Sequence, residues 1–501
     1  MVIKTLIGQL SLAFFLLFFS CALFSQNNIS VNTVEESLDS LDLLTEKGDV
    51  APFVLSDADF MEKMSTLSSC VDVRMTDVVK GYIRTYTQFK SDKSRIMLGK
   101  RLTYFPLFEE KFKEYGIPQD LKYLSVVESA LNPKAVSRVG ATGLWQFMPS
   151  TGSEYGLRAN SAVEDRSNPV KSTDAAARHL RDLYKQFNDW ALVLAAYNSG
   201  AGRVNAAIQR SGSKNFWELQ RFLPLETRNY VPAFIAATYI CNYFQVYGLT
   251  PYDPDMDQQL TTYINVYEGI SFRDIADVTG VSYEVVKDLN PGFKRDYVPP
   301  TNEGHYVVVP LRVMPAFVRY LNTVSNARHY VLENPENYTS PDIGDGRYWQ
   351  STVNLKENVS VEDFASRLGM CGEHIKSWNN INTNYLCPGQ SIKLIRPVFV
   401  QKHTAIRIDA PNASVPKVQS TGLTPIKNEP ISGSKTGAKK QTLAPVQTET
   451  PRIIQYQYHT VKRNESLEDI ARQYSTSVES LRKHNNCAAV KFGMRLKIRE
   501  F

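Results

Sequence analysis

Cysteine and histidine are both sparse in this chain, with six and seven copies in 501 residues. The cysteines (Cys21, Cys70, Cys241, Cys371, Cys387 and Cys487) are scattered and form no C-x-x-C pair, so their spacing does not read as a zinc site. No metal and no nucleotide or other cofactor is expected. Only Cys371 and Cys387 lie close together in one small segment; they read equally as a disulfide in an oxidising compartment or as two small buried hydrophobes. A strong charge of one sign is also lacking. Lys and Arg number 57 against 51 Asp and Glu, a net charge of +6, and several of the lysines sit in one low-complexity stretch near the C-terminus. That balance gives no argument for nucleic acid as a partner, although it suits an anionic surface. Beyond the first 25 residues there is no apolar run of the ~20 residues that a membrane span needs. The remaining composition, 43% hydrophobic and 22% charged, is that of globular protein.

The one long apolar run lies at the start. Shortly after Lys4 comes "LIGQLSLAFFLLFFSCALFS" and then "QNN", which reads as a secretory signal peptide over 1–25, with cleavage after Ser25. Two rivals keep the chain on a membrane: an uncleaved anchor, and acylation at Cys21, for which Phe18-Phe19-Ser20 is a poor lead-in. All three export the chain to the cell envelope, into the periplasm or onto a membrane.

At this length several domains are expected. After an N-terminal extension over 26–70, residues 71–250 show apolar positions at helical spacing, with breaks at "GIPQD", "ALNPKA", "RSNPVKSTD" and "SGAGRV". "STDAAARHLRDLYKQF" predicts a helix opened by the cap-type residues Ser172 and Thr173. "DWALVLAAYNSG" is apolar nearly all round and predicts a central buried helix. A repeat then appears: "SFRDIADVTGVSYEVVKDLN" from Ser271, "SVEDFASRLGMCGEHIKSWN" from Ser360 and "SLEDIARQYSTSVESLRKHN" from Ser466. Each begins with Ser, carries an Asp-apolar-Ala triplet (Asp274, Asp363, Asp469) and closes on Asn. Each is flanked by strand-like segments, which gives three small α+β units of βααβ type over 262–311, 348–397 and 456–501. The first contains an excursion, "PGFKRDYVPPTNEG". A helix is expected over "VMPAFVRYLNTVSNARHY", with no purpose legible in its residues. Residues 398–455, rich in Pro, Ser, Thr, Lys and Gly, read as a disordered linker.

The chemistry concentrates in the helical region. In "YLSVVESALNPKAVS", Glu128 lies on an apolar stripe with Leu121, Leu124 and Leu131, and no basic residue sits at i±3 or i±4. It is either a buried structural carboxylate or an acid whose pKa is raised by desolvation, able to protonate a glycosidic oxygen. "GATGLWQFMPSTG", "AAYNSGAGRV" and "LPLETRNYVP" each set hydrogen-bonding side chains (Gln146; Tyr197 and Asn198; Tyr230) in apolar sequence, as carbohydrate clefts require. Glu164, Asp165, Asp174 and Asp182 stand in polar surroundings, so a single-acid mechanism is the simpler reading.

These motifs resemble those of the lytic murein transglycosylases. Leu124, "ES", Pro133, Ser137 and "GLWQF" follow the signature, and "AYNSG" and "ETRNYVP" follow its later motifs. The chain is most similar to the membrane-bound D type, and its repeats resemble LysM modules. The resemblance implies a multidomain chain: an all-α lysozyme-like catalytic domain with its core at about 110–240, then three LysM-like modules. It implies Glu128 as sole catalytic acid/base, Ser137 orienting the departing muramyl unit or Glu128 itself, and Gln146, Met148, Tyr197, Asn198 and Tyr230 lining the subsite. Trp145 stands where the wider family often has methionine. The implied partner is the peptidoglycan glycan strand, bound by the LysM modules, and the implied reaction leaves a 1,6-anhydro end. A hydrolytic muramidase of the same fold and a non-catalytic wall-binding protein are the alternatives.

Overall fold

The structure, a computed structural model, describes residues 57–332, 334–341, 346–400, 456–461, 465–474, 476–485 and 495–500. The expected signal peptide, Cys21, Cys487, residues 26–56 of the expected N-terminal extension and nearly all of the expected linker lie outside the described residues.

The helical region runs α1 (Asp57–Thr66), α2 (Asp77–Arg84), α3 (Ser91–Tyr115), α4 (Leu124–Ser129), α5 (Pro149–Glu154), α6 (Pro169–Phe187), α7 (Trp190–Ser199), α8 (Ala201–Ser211), α9 (Phe216–Leu219), α10 (Leu225–Tyr243) and α11 (Met256–Gln259). Helices α1 to α4 and α6 to α10 contribute to one continuous apolar core. The all-apolar segment forms α7, whose N-cap Asp189 accepts from the Leu192 N–H, and residues Trp190 to Ala196 are buried as expected. The start of α6 differs from expectation. It begins at Pro169, because Asn168 accepts from the N–H groups of Val170 and Lys171 and proline is preorganised for the first helical position. Ser172 and Thr173 are therefore not caps. Both are buried inside α6, where the Ser172 hydroxyl donates to the Asn168 carbonyl at 2.7 Å.

The repeat has a direct structural cause. In the first unit strands β1 (Thr261–Val266) and β4 (His305–Pro310) pair antiparallel around α12 (Phe272–Thr279) and α13 (Tyr283–Leu289), with the short strands β2 (Ile270–Ser271) and β3 (Tyr297–Val298) paired beside them. Ser271 and Asp274 form a reciprocal capping box on α12. The closing Asn290 is buried; it donates to the carbonyls of Val286 and Val308 and accepts from the Val308 N–H, stapling α13 to β4. The helix of unread purpose is α14 (Met314–Val324), which lays Met314, Phe317 and Leu321 on the thin core of this unit.

The second unit has β5 (Tyr348–Asn354), β6 (Val359–Ser360), α15 (Val361–Arg367), α16 (Gly372–Asn379), β7 (Tyr385–Leu386) and β8 (Ser391–Pro397). Ser360 caps α15, and Asn379 repeats the staple, bonding to the Ile375 carbonyl and to both backbone groups of Lys393. The third has β9 (Tyr456–Thr460), α17 (Leu467–Gln473), α18 (Val478–Asn485) and β10 (Arg495–Glu500), with a Ser466–Asp469 capping box.

The second unit sits on the helical region through buried polar contacts. Arg101 on α3 pairs with Glu373 on α16 at 2.7 Å, His374 Nε2 lies 2.8 Å from the Leu102 carbonyl, and Trp378 Nε1 donates to Gln259. Neither reading of Cys371 and Cys387 describes the pair: they form no disulfide, and Cys371 is half-buried while Cys387 is exposed. Both are free thiols; Cys371 Sγ donates to Glu109 at 3.2 Å, and burial pushes its pKa up. Among the described residues no helix is long and apolar enough to cross a membrane.

Candidate active site

Glu128 occupies the last full turn of α4, a two-turn helix that continues a 3-10 turn over Gln119–Tyr123. The helix stops at Ser129 because Ala130 and Leu131 both adopt left-handed backbone, with φ of 49° and 59°. The stripe expected from Leu121 to Leu131 is thus not one helical face: Leu121 lies in the 3-10 turn and Leu131 beyond the helix. The apolar surround nevertheless holds. Leu124, Val126, Val127 and Leu131 are fully buried, and Glu128 itself is half-buried. Left-handed backbone at non-glycine residues costs on the order of 1 kcal/mol each, and such strain gathers at functional sites.

Two buried serines, one turn apart on α4, fix it to the next element. The Ser125 and Ser129 hydroxyls both donate to the Leu144 carbonyl, at 2.9 and 3.0 Å. Leu144 belongs to the glycine-rich loop, which folds back on itself through bridges between Val136, Thr142 and Phe147. Gly143 has φ of 87°, and a Cβ there would stand 1.9 Å from the Arg166 carbonyl oxygen, so only glycine fits. The Arg166 guanidinium donates to the carbonyls of Gly140 and Phe147 while paired with Glu164. Trp145 is fully buried against Phe108, and its indole N–H donates to Thr173 at 3.0 Å.

From the other side α10 brings Tyr230, whose phenol donates to Glu128 Oε1. Burial drives the Glu128 carboxyl from its ordinary 4.5 up to about 8; the Tyr230 hydrogen bond favours the charged form and opposes this, and the nearby charge of Glu226 reinforces it. Near neutrality Glu128 is therefore a protonated acid. Tyr230, buried, and Tyr197, half-buried, have their phenol pKa values pushed up, by desolvation first and by Glu128 second.

The expected site residues divide into groups. Tyr230 touches Glu128 directly. The Tyr197 phenol donates to the Trp145 carbonyl at 2.8 Å, joining α7 to the loop. Asn198 accepts from Thr227 at 2.8 Å and donates to Glu226 at 3.2 Å, so it faces the start of α10. Gln146, at φ 46°, donates to the carbonyls of Ala135 and Gly143. Ser137 accepts from the Ala141 N–H at 3.0 Å within its own turn, and the group in contact with Glu128 is Tyr230. Met148 is exposed at the start of α5. Each of the four polar-region acids is held by a cation: Glu164 by Arg166, Asp165 by Lys171, Asp174 by Arg178 and Asp182 by Lys185. Sequence reasoning missed Ser125, Ser129, Arg166 and the negative charge that Glu226 brings near Glu128. The pair of serines four residues apart, flanking Val126 to Glu128, was the available signal.

Residues 106–220 match the family model described as the transglycosylase SLT domain. Residues 260–326, through α14, match the LysM-like domain of the lytic transglycosylase MltD, and residues 459–499 match the LysM domain. The chain is 32% identical over 288 residues to the membrane-bound lytic murein transglycosylase D of Escherichia coli K12, covering 56% of this chain and 61% of that protein. It thus spans about three-fifths of that relative's length. A second relative, the soluble lytic murein transglycosylase of the same organism, is 33% identical over 153 residues, 28% of this chain and 24% of that one. Among solved structures, the 70 kDa soluble lytic transglycosylase of Escherichia coli aligns at 28% identity with a TM-score of 0.27, covering 34% of this chain and 29% of that one. The chain thus carries, in order, a segment similar to the transglycosylase SLT domain, one similar to the LysM-like domain of MltD, and one similar to the LysM domain.

Proposed function

We propose that the chain is a peptidoglycan lytic transglycosylase that cleaves the β-1,4 bond between N-acetylmuramic acid and N-acetylglucosamine and leaves 1,6-anhydromuramyl ends. One observation carries the reading: a single carboxyl, Glu128, is held protonated near neutrality beneath Tyr230. Its proton passes to the glycosidic oxygen as the C1–O bond breaks, and the bonding pair leaves with the N-acetylglucosamine oxygen. The muramyl C6 hydroxyl then attacks C1 and gives its proton to the Glu128 carboxylate, which restores the acid. The internal nucleophile replaces water and gains the proximity advantage of an intramolecular reaction. No second carboxylate is required, consistent with the ion-paired state of Glu164, Asp165, Asp174 and Asp182.

In this reading Gln146, Met148, Tyr197, Asn198 and Tyr230 line the sugar subsite, and Ser137 contacts the departing muramyl unit. The catalytic core falls within about 110–240, the βααβ units at 262–311, 348–397 and 456–501 are LysM-like modules, and a linker over 398–455 lets the last one hold the polymer. The exported chain works in the cell envelope. Digestion of purified sacculi followed by mass spectrometry tests the reaction. Products carrying the anhydro mass loss are expected, and Glu128→Gln should abolish them while the chain still co-sediments with sacculi. Hydrated reducing ends would instead assign a muramidase. Unchanged product release by Glu128→Gln would remove Glu128 from the chemistry.

A further inference from the structure

The excursion "PGFKRDYVPPTNEG", which lengthens the first βααβ unit, is the strap that binds this unit to the SLT domain. The Glu164 N–H donates to the Gly292 carbonyl and the Lys294 N–H to the Ala162 carbonyl, both at 2.8 Å, around a β-bridge between Val163 and Phe293. Arg158 pairs with Glu303 at 2.6 Å, and the capping residue Asn168 also donates to the Tyr306 carbonyl. A Cβ on Gly292 would come within 3.0 Å of Asn168, so the excursion lies flat against the start of α6. The two domains are held in one arrangement, and the space between them is preformed.

That space is a cleft of about 110 Å³ between α3, the start of α6 and the β1–β4 pair. Its floor is apolar: Leu107, Pro169, Val170, Leu289 and Val308. Its rim is polar, with Thr103, Thr262 and the carboxylate of Glu110, to which the Tyr263 phenol donates at 2.6 Å. Tyr263 is braced edge-on by Tyr306 at 5.5 Å. An apolar floor, a fixed tyrosine and a rim of hydroxyl and carboxylate acceptors match one ligand chemistry well. A pyranose ring presents an apolar C–H face and an equatorial belt of hydroxyl and amide donors.

We propose that this cleft is an accessory glycan subsite, taking one N-acetylated pyranose of the strand away from Glu128. The proposal rests on the glycan-strand reading above for its ligand. The cleft makes the SLT domain and its LysM-like neighbour one continuous binding body, so the first unit acts through its junction with the enzyme.

The test uses the full chain carrying Glu128→Gln, titrated calorimetrically with the N-acetylglucosamine tetramer. Adding Thr103→Trp, which projects an indole into the cleft from half-exposed α3, should remove one tetramer site per chain; Thr103→Ser should keep it. Glu110→Gln retains an acceptor for Tyr263 but loses the charge, and should weaken the same site about threefold to tenfold without changing the melting temperature. Site number and affinities unchanged in both Thr103→Trp and Glu110→Gln would overturn the proposal. The reaction assay is independent: with Glu128 restored, Thr103→Trp should still release anhydro products from short muropeptide fragments. Loss of anhydro products by the unsubstituted chain would overturn the function reading and leave the tetramer result standing on its own.

Discussion

Replacing Glu128 by Gln should stabilise the folded chain at neutral pH and not at acid pH. The folded carboxyl titrates at about 8 against an ordinary 4.5. The folded state therefore binds more protons than the unfolded state throughout that window, and stability falls as pH rises through it. One pKa unit corresponds to ~1.4 kcal/mol, so the two and a half units between 4.5 and pH 7 set an upper figure of about 3.5 kcal/mol. Glu128 is half-buried, and solvent access lowers this to about 2 kcal/mol. Glutamine keeps an acceptor for Tyr230 and has no charge to desolvate, so it carries none of this penalty. Urea unfolding of the two proteins at about pH 4, 5.5, 7 and 8.5 should give midpoints that coincide at acid pH. They should separate progressively toward pH 8 and then run parallel. A stability difference that does not change with pH would refute the desolvation argument, and with it the reason for regarding Glu128 as an acid.

Two further outcomes follow from the same geometry. Tyr230→Phe removes the hydrogen bond that favours the Glu128 carboxylate, so the alkaline limb of kcat/KM should move to higher pH; Glu226→Gln removes the charge that raises it, so that limb should move to lower pH. Shifts in the same direction in the two variants would contradict the assigned causes. Gly143→Ala sets a Cβ against the Arg166 carbonyl at a left-handed position and should lower stability by more than ~2 kcal/mol by urea denaturation. A midpoint within error of the unsubstituted chain would show that the loop yields.

What the sequence could disclose followed the range of the rules that read it. The Ser and Asp of the repeat recur because a capping box spans three residues, and Asn290 and Asn379 recur because a helix end must be tied to a neighbouring strand. Helix α7 was legible because apolarity on every side has one outcome in a large domain. The misreadings share a different cause. Asn168-Pro169 reads as a break in the sequence, yet the same pair is also a strong helix start, and it moves the cap from Ser172 and Thr173 to Asn168. Helix α4 ends without glycine or proline, since the buried Leu131 and the serine bonds to Leu144 impose the left-handed turn from outside the helix. The partner of Glu128 lies 102 residues away on α10, and Arg101 reaches a partner 272 residues away. No local rule reaches such a distance. The absence of a basic residue near Glu128 in sequence was nonetheless the informative signal. A carboxylate meant for structure is paired in this fold, as Asp165 and Glu373 are, whereas Glu128 is met by a phenol, a partner that can hold the acid in place without taking its proton away.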